Sequence, residues 1–195
     1  FICKSCKNRF IDFYTYKAYN PWINKRIIQF TKEGLGIRST ARILKISTTT
    51  LIKRIIKIAK KIPSLPIFKN KIYEVDEMRT FVENKEKPIW IVYALERKTK
   101  QVVNFSIVRR TKRTLQYVTN TLLLSNPKTI YTDKLIHYKS LLNGTNHITK
   151  QFGTNHIERK NLSLRTHLKR LNRKTICFSR SFIMLQCVLR IYFWS

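Results

Sequence analysis

The chain has 195 residues and a formal net charge of +30, from 40 Lys and Arg against 10 Asp and Glu. Charge of that density excludes an ordinary metabolic enzyme and predicts tight, salt-dependent binding to a polyanion, with nucleic acid the obvious one. Apolar residues make up 43% of the chain, with eleven Phe, nine Tyr and three Trp, which excludes a disordered basic tail and allows one or two folded domains.

The first 20 residues pair Cys3-Lys-Ser-Cys6 with a run of aromatics that includes Phe10, Phe13, Tyr14, Tyr16 and Tyr19. Cys-x-x-Cys is half of a zinc ribbon, and the other half needs a second pair. His137, His147, His156 and His167 show no finger spacing, so the expectation is a partial ribbon that holds Zn²⁺ through Cys3 and Cys6 only with an upstream segment. Four cysteines with no secretory signal fit a reducing interior.

Residues 21–62 read as three helices. Pro21 suits a first turn, and Ile23, Ile27, Ile28 and Phe30 follow the 3.6 period until Gly34 and Gly36. A short helix carries Ala41, Ile43 and Leu44, and one of Thr48, Thr49 and Thr50 is expected to cap the third, which runs to Lys61. Leu51, Ile52, Ile55, Ile56 and Ala59 share one face of that helix, with Arg54, Lys57, Lys60 and Lys61 opposite and Lys53 at the edge. A helix-turn-helix has this layout, with its third helix in a major groove; the alternative is a small helical bundle with a solvated basic face. Arg42, Thr49, Lys53, Arg54 and Lys57 are the expected DNA contacts, and the unit is expected to bind DNA separably. Residues 63–70, with Pro63-Ser64-Leu65-Pro66, read as a linker.

From residue 71 to 195 the pattern changes. Strands are predicted over 71–82, 88–95 and 101–108, a helix over 113–124, a strand ending at Asp133, a short helix over 135–142, a strand near Ile148 and a helical last third. The end, 182–194, is interrupted by Gln186 and Arg190 and reads as an amphipathic helix. The order βββαβαβα is that of an α/β, ribonuclease-H-like catalytic domain. It sets the first strand beside the strand bearing Asp133. No apolar run reaches the length of about 18 residues that a membrane span needs, and no signal peptide is visible. A cytoplasmic, nucleoid-associated protein is expected, with no membrane partner.

Acids are scarce where they matter. After Glu96 there are twenty Lys and Arg and two carboxylates, Asp133 and Glu158. A third acidic site, Glu74-Val-Asp76-Glu77, lies in the first strand. Phosphoryl transfer on nucleic acid commonly uses two divalent cations held by a few carboxylates. Asp76, Asp133 and Glu158 supply that minimum for Mg²⁺ or Mn²⁺. Spacing alone leaves open which of Glu74, Asp76 and Glu77 is the first ligand.

Five stretches carry a family resemblance: Cys3-Lys-Ser-Cys6; Gly36-Ile-Arg-Ser-Thr-Ala-Arg-Ile-Leu44; Glu74-Val-Asp-Glu-Met78; Tyr131-Thr-Asp133; and the block from Thr154-Asn-His-Ile-Glu-Arg-Lys-Asn161 to Thr175. Over nearly its whole length the chain resembles the IS-one type insertion-sequence transposases. That resemblance implies an acidic catalytic triad of Asp76, Asp133 and Glu158, with Arg165 touching substrate DNA. The chain departs from the family at Arg79, where Trp is expected, and at Lys134, where a small residue is common.

The expected function is metal-dependent DNA cleavage and strand transfer at insertion-sequence ends, by a homo-oligomer on DNA. The alternatives are a non-catalytic DNA-binding regulator, an inactive transposase remnant, or a nuclease of the same fold.

Overall fold

A computed structural model describes residues 1–12, 16–108, 112–150 and 152–195. Phe13 and Tyr14, expected among the aromatics of the ribbon, lie outside the described residues. Elements follow in the order α1 (Ile23–Lys32), α2 (Ile37–Leu44), α3 (Thr48–Lys61), β1 (Ile72–Val82), β2 (Asn84–Glu96), β3 (Val102–Val108), α4 (Lys112–Leu123), β4 (Thr129–Thr132), α5 (Ile136–Leu141), β5 (His147–Ile148), α6 (Asn155–His167) and α7 (Phe182–Trp194).

The five strands form one sheet in the order β3-β2-β1-β4-β5. β1, β2 and β3 are antiparallel neighbours, and β4 and β5 run parallel to β1. This is the ribonuclease-H-like arrangement. The first two strands are joined by a tight connection through Glu83, which takes φ 63°. β2 therefore starts at Asn84, earlier than the sequence pattern predicts.

Because both sheet faces are covered, the alternation in β1 is filled with bulky residues on each side. On one face Tyr73, Val75, Val92, Ala94 and Val103 pack with Leu115, Val118 and Leu122 of α4 and with Tyr138 of α5. On the other, Met78, Ile91, Tyr93, Leu95, Phe105 and Ile107 pack with Ile157 and Leu164 of α6 and with α7.

α7, read from sequence as an amphipathic helix, keeps an exposed side at Phe182, Ile183 and Gln186 but is buried over most of its circumference. Met184, Leu185, Cys187, Val188, Leu189 and Ile191 are all buried, as befits a helix apolar around most of its circumference. It lies between the sheet and the three N-terminal helices, so one core runs from Ile27, Leu51 and Ile55 through Leu185 and Val188 to Ile91 and Phe105. Trp194 donates its indole N–H to the Val102 carbonyl at 2.7 Å. Arg190 donates to the carbonyl of Ile62 from Nε at 2.9 Å and from Nη2 at 2.7 Å. The three N-terminal helices are thus packed against the five-stranded domain at the point where the linker begins. Gly34 fits the same junction. It sits at φ 73°, and a Cβ there would lie 1.8 Å from the carbonyl oxygen of His167.

Within the helix-turn-helix, Ser47 and not a threonine caps α3, accepting from the Thr50 N–H at 3.1 Å. Lys45 takes the left-handed conformation at the end of α2, with φ 52°.

Candidate active site and DNA-facing surface

β1 and β4 pair from Ile72–Thr129 to Val75–Thr132. One step further along that ladder sets Asp133 beside Asp76. β4 ends at Thr132, so the β1–β4 pairing stops just before the two aspartates. Asp76 comes from the α6 face and Glu77 from the α5 face, and both reach Asp133. Carboxylate oxygens of Asp76, Glu77 and Asp133 all lie within 4.8 Å of one another. Asp133 is oriented by the Leu135 N–H at 3.0 Å. Asp76 accepts from the Glu77 N–H at 2.7 Å and from Asn161 Nδ2 at 2.7 Å. Burial, together with the neighbouring Glu77 and Asp133 charges, pushes Asp76 up to about 6.

Glu158 stands apart from this group. It is solvent-exposed in the first turn of α6, and its Oε1 accepts from the Thr154 hydroxyl at 2.8 Å. The side chain that α6 brings to Asp76 is Asn161, three residues later on the same helix face. Tyr93 holds Asn161 from behind, its hydroxyl donating to Asn161 Oδ1 at 2.8 Å. Asn161 is part of the sequence block quoted above, yet nothing in its spacing marks it as a site residue. Tyr93 carries no sequence signal at all, because its partners lie 64 and 68 positions away.

On the α5 face Tyr138 is fully buried. Burial, with the Glu77 carboxylate beside it, pushes its hydroxyl well above the ordinary tyrosine value. The donor set of the cluster is all oxygen and negatively charged, which suits a hard divalent cation such as Mg²⁺ or Mn²⁺.

A cleft of about 670 Å³ opens from Asp76 and Glu77 along the end of β1. Arg79, Lys85, Arg165 and Arg173 supply its basic walls, and Trp90 lines it as well. Arg165 is half-buried there, donating to the carbonyls of Leu171 at 2.9 Å and Arg79 at 3.3 Å.

On the helix-turn-helix, Arg42, Thr49, Lys53 and Lys57 are exposed. Thr49, Lys53 and Lys57 recur every four residues, so they form one stripe along α3. Arg54 differs from the expectation. Its guanidinium is turned inward, donating to Asn24 Oδ1 at 2.9 Å and to the Ala18 carbonyl. It ties α3 to α1 and to the segment before it, and is half-buried.

Cys3 and Cys6 lie on a tight hairpin. The Cys3 N–H donates to the Asn8 carbonyl, and the Lys7 N–H to the Cys3 carbonyl, each at 2.9 Å. Hydrogen bonds from Cys6 lower the Cys3 thiol below its ordinary value. Among the described residues, these thiols are not part of any group of three or more close ligating side chains.

Comparison with known proteins decides the family. Residues 71–194 match the family profile described as IS1 transposase, and residues 14–58 match one described as the InsA C-terminal domain. The chain belongs to the IS1 transposase family. The InsB protein of insertion element iso-IS1n from Shigella dysenteriae is 39% identical over 110 residues, covering 56% of this chain and 84% of that protein. An InsB protein of IS1 from Escherichia coli strain K12 is 38% identical over 108 residues, covering 55% of this chain and 65% of that protein. The match therefore spans just under two thirds of the K12 relative. Among solved structures, the HTLV-2 integrase catalytic core domain in complex with magnesium aligns with a TM-score of 0.44 at 14% identity, over 62% of this chain and 85% of that one. In this IS1 transposase the family block that begins at Thr154 contains α6, which meets Asp76 through Asn161. The match beginning at residue 71 starts one residue before β1. Among the described residues no helix is long and apolar enough to cross a membrane.

Proposed function

We propose that this IS1 transposase cuts DNA at the ends of an insertion element and joins the freed 3′-hydroxyl to target DNA. Residues 21–62 read the ends and residues 71–195 do the chemistry. The observation that carries the reading is the carboxylate group formed by β1 and the residue just after β4, beside a basic cleft. A divalent cation bound there supplies a polarised phosphoryl oxygen and an activated nucleophile. Asp76 and Asp133 are the residues that would hold it.

The chain's own side chains do the rest. Arg79, Arg165 and Arg173 line the cleft with fixed positive charge, where a phosphodiester backbone gains most from it. The Asn161 amide keeps Asp76 oriented, and the Leu135 N–H does the same for Asp133. Arg42, Thr49, Lys53 and Lys57 face the DNA on the helix-turn-helix side. A homo-oligomer on paired element ends, and Mg²⁺ or Mn²⁺ as the working ion, belong to the same proposal.

Glu158 is the third catalytic carboxylate in this reading, as the family resemblance implies. A second reading puts Glu77 in that role, and the clustering of Glu77 with Asp76 and Asp133 favours it. Cleavage by Glu158→Gln and Glu77→Gln, assayed side by side with Mg²⁺, separates the two. Loss of a ligand carboxylate should lower the rate by at least about 100-fold, the several kcal/mol that such charge stabilisation provides. Near-wild-type cleavage by Glu158→Gln, with loss in Glu77→Gln, would transfer the role to Glu77.

A further inference from the structure

Glu74 is the carboxylate of the acidic strand segment to which neither reading of the chemistry gives a task. Its side chain is fully buried. It shares a sheet face with Asp76 yet points to the start of α6. Oε2 accepts from the Ile157 N–H at 2.9 Å, an otherwise orphaned donor of the helix's first turn. Oε1 faces His156 Nδ1 at 2.7 Å and pairs with Arg97 Nε at 3.3 Å. Arg97 in turn stacks on the Tyr131 ring at 4.4 Å, two residues before Asp133. Thr154, the residue at the helix cap position, makes no capping hydrogen bond with its side chain. A carboxylate from β1 does that work across 83 positions of chain.

We propose that Glu74 is a positioning residue for the carboxylate site. It clamps the N-terminus of α6 to β1 and thereby sets the reach of Asn161 to Asp76. A buried carboxylate with an ion-pair partner is costly merely to join two elements, where an apolar pair would serve as well. Its distinguishing property is direction: it fixes both the height and the rotation of α6, because it holds a backbone N–H and a side chain of consecutive residues. Asn161 lies one turn beyond that clamp, so a small rotation there moves its amide off Asp76. Outer-shell partners of this kind govern how well first ligands are aligned for a cation.

The inference rests on the divalent-cation reading, and calorimetric titration with Mn²⁺ on the full chain tests the two separately. Wild type should bind Mn²⁺ and Asp133→Asn should not; wild type without binding would overturn the cation reading and this inference with it. Glu74→Gln keeps the shape and the acceptor for Ile157 but loses the charge. It should weaken Mn²⁺ binding by about 10-fold or more. In an Asn161→Ala background the same change should have little further effect, since the two act through the same Asp76–Asn161 hydrogen bond. His156→Ala removes a half-exposed partner without stranding a buried charge, and it decides the matter if Glu74→Gln does not fold; it should weaken Mn²⁺ binding in the same direction. A folded Glu74→Gln or His156→Ala protein with wild-type Mn²⁺ affinity, or a loss that adds in full to that of Asn161→Ala, would make Glu74 a structural tie only and overturn the proposal.

Discussion

Asp76 shows how single residues set conditions for this site. Its ordinary value of 3.8 rises to about 6 because burial and two neighbouring acids penalise its charge. Between those values the folded chain keeps a proton that the unfolded chain has lost. Ionising Asp76 therefore weakens the fold as pH rises through that window, by roughly 3 kcal/mol at most. A divalent cation offsets that cost, but only for the ionised form. The rise in Tm on adding Mg²⁺ or Mn²⁺ should be small near pH 5 and reach its full size by about pH 7.5. A rise that is equal at both would place the cation elsewhere. Asp133 stood out in sequence because it is an isolated acid in a polycation, whereas Asp76 sits between Glu74 and Glu77 and spacing could not choose among the three. Glu77 was harder to place. Its parity points it to the opposite face from Asp76, yet both reach Asp133. Tyr138 and Tyr93 reach the site from distant elements, and no local pattern encodes that.

At the scale of elements, the helix-turn-helix separates reading from bracing. Lys53 and Lys57 face outward along α3, while Arg54 braces α3 against Asn24 and Ala18. Replacing Lys53 and Lys57 by Ala should weaken DNA binding and flatten its log–log salt dependence by about one unit for each phosphate no longer neutralised. Arg54→Ala should instead lower Tm with little change in the salt slope. The reverse pattern would move the DNA-facing surface. Sequence periodicity placed all three helices within a few residues but could not tell Arg54 from its neighbours, since its partners sit before and within α1. A second prediction concerns the α1–α2 turn. Gly34→Ala forces a Cβ into the His167 carbonyl at a left-handed backbone position, and should destabilise by about 1–3 kcal/mol or more. Thermal melts check it, and an unchanged Tm would show that α6 and the turn are not pressed together.

For the whole molecule, α7 is the organising element. The N-terminal helices and one sheet face share a core through it, so the helix-turn-helix and the carboxylate site are held on one frame. A fragment of residues 21–62 would expose the apolar surface that Ile27, Leu51 and Ile55 bury together with α7. It should unfold with low cooperativity or aggregate, which circular dichroism melts would reveal; a sharp melt like that of the full chain would restore the helices as an independent unit. The sequence order of strands and helices was enough to predict the ribonuclease-H-like sheet. The depth at which α7 is buried was hidden, because Gln186 and Arg190 break its apolar run. Gln186 is exposed, but Arg190 turns its charge onto the Ile62 carbonyl inside the structure. The central claim is that the carboxylates of β1 and of Asp133, just after β4, hold the cation with which the chain cuts and joins DNA. Its most direct test incubates the full chain with labelled DNA carrying the element's ends, with and without Mg²⁺, beside Asp133→Asn. The account predicts cleaved and joined products from wild type with Mg²⁺ alone, and none from Asp133→Asn, which should bind the DNA at least as tightly. Cleavage by Asp133→Asn at the wild-type rate, or cleavage without a divalent cation, would contradict it.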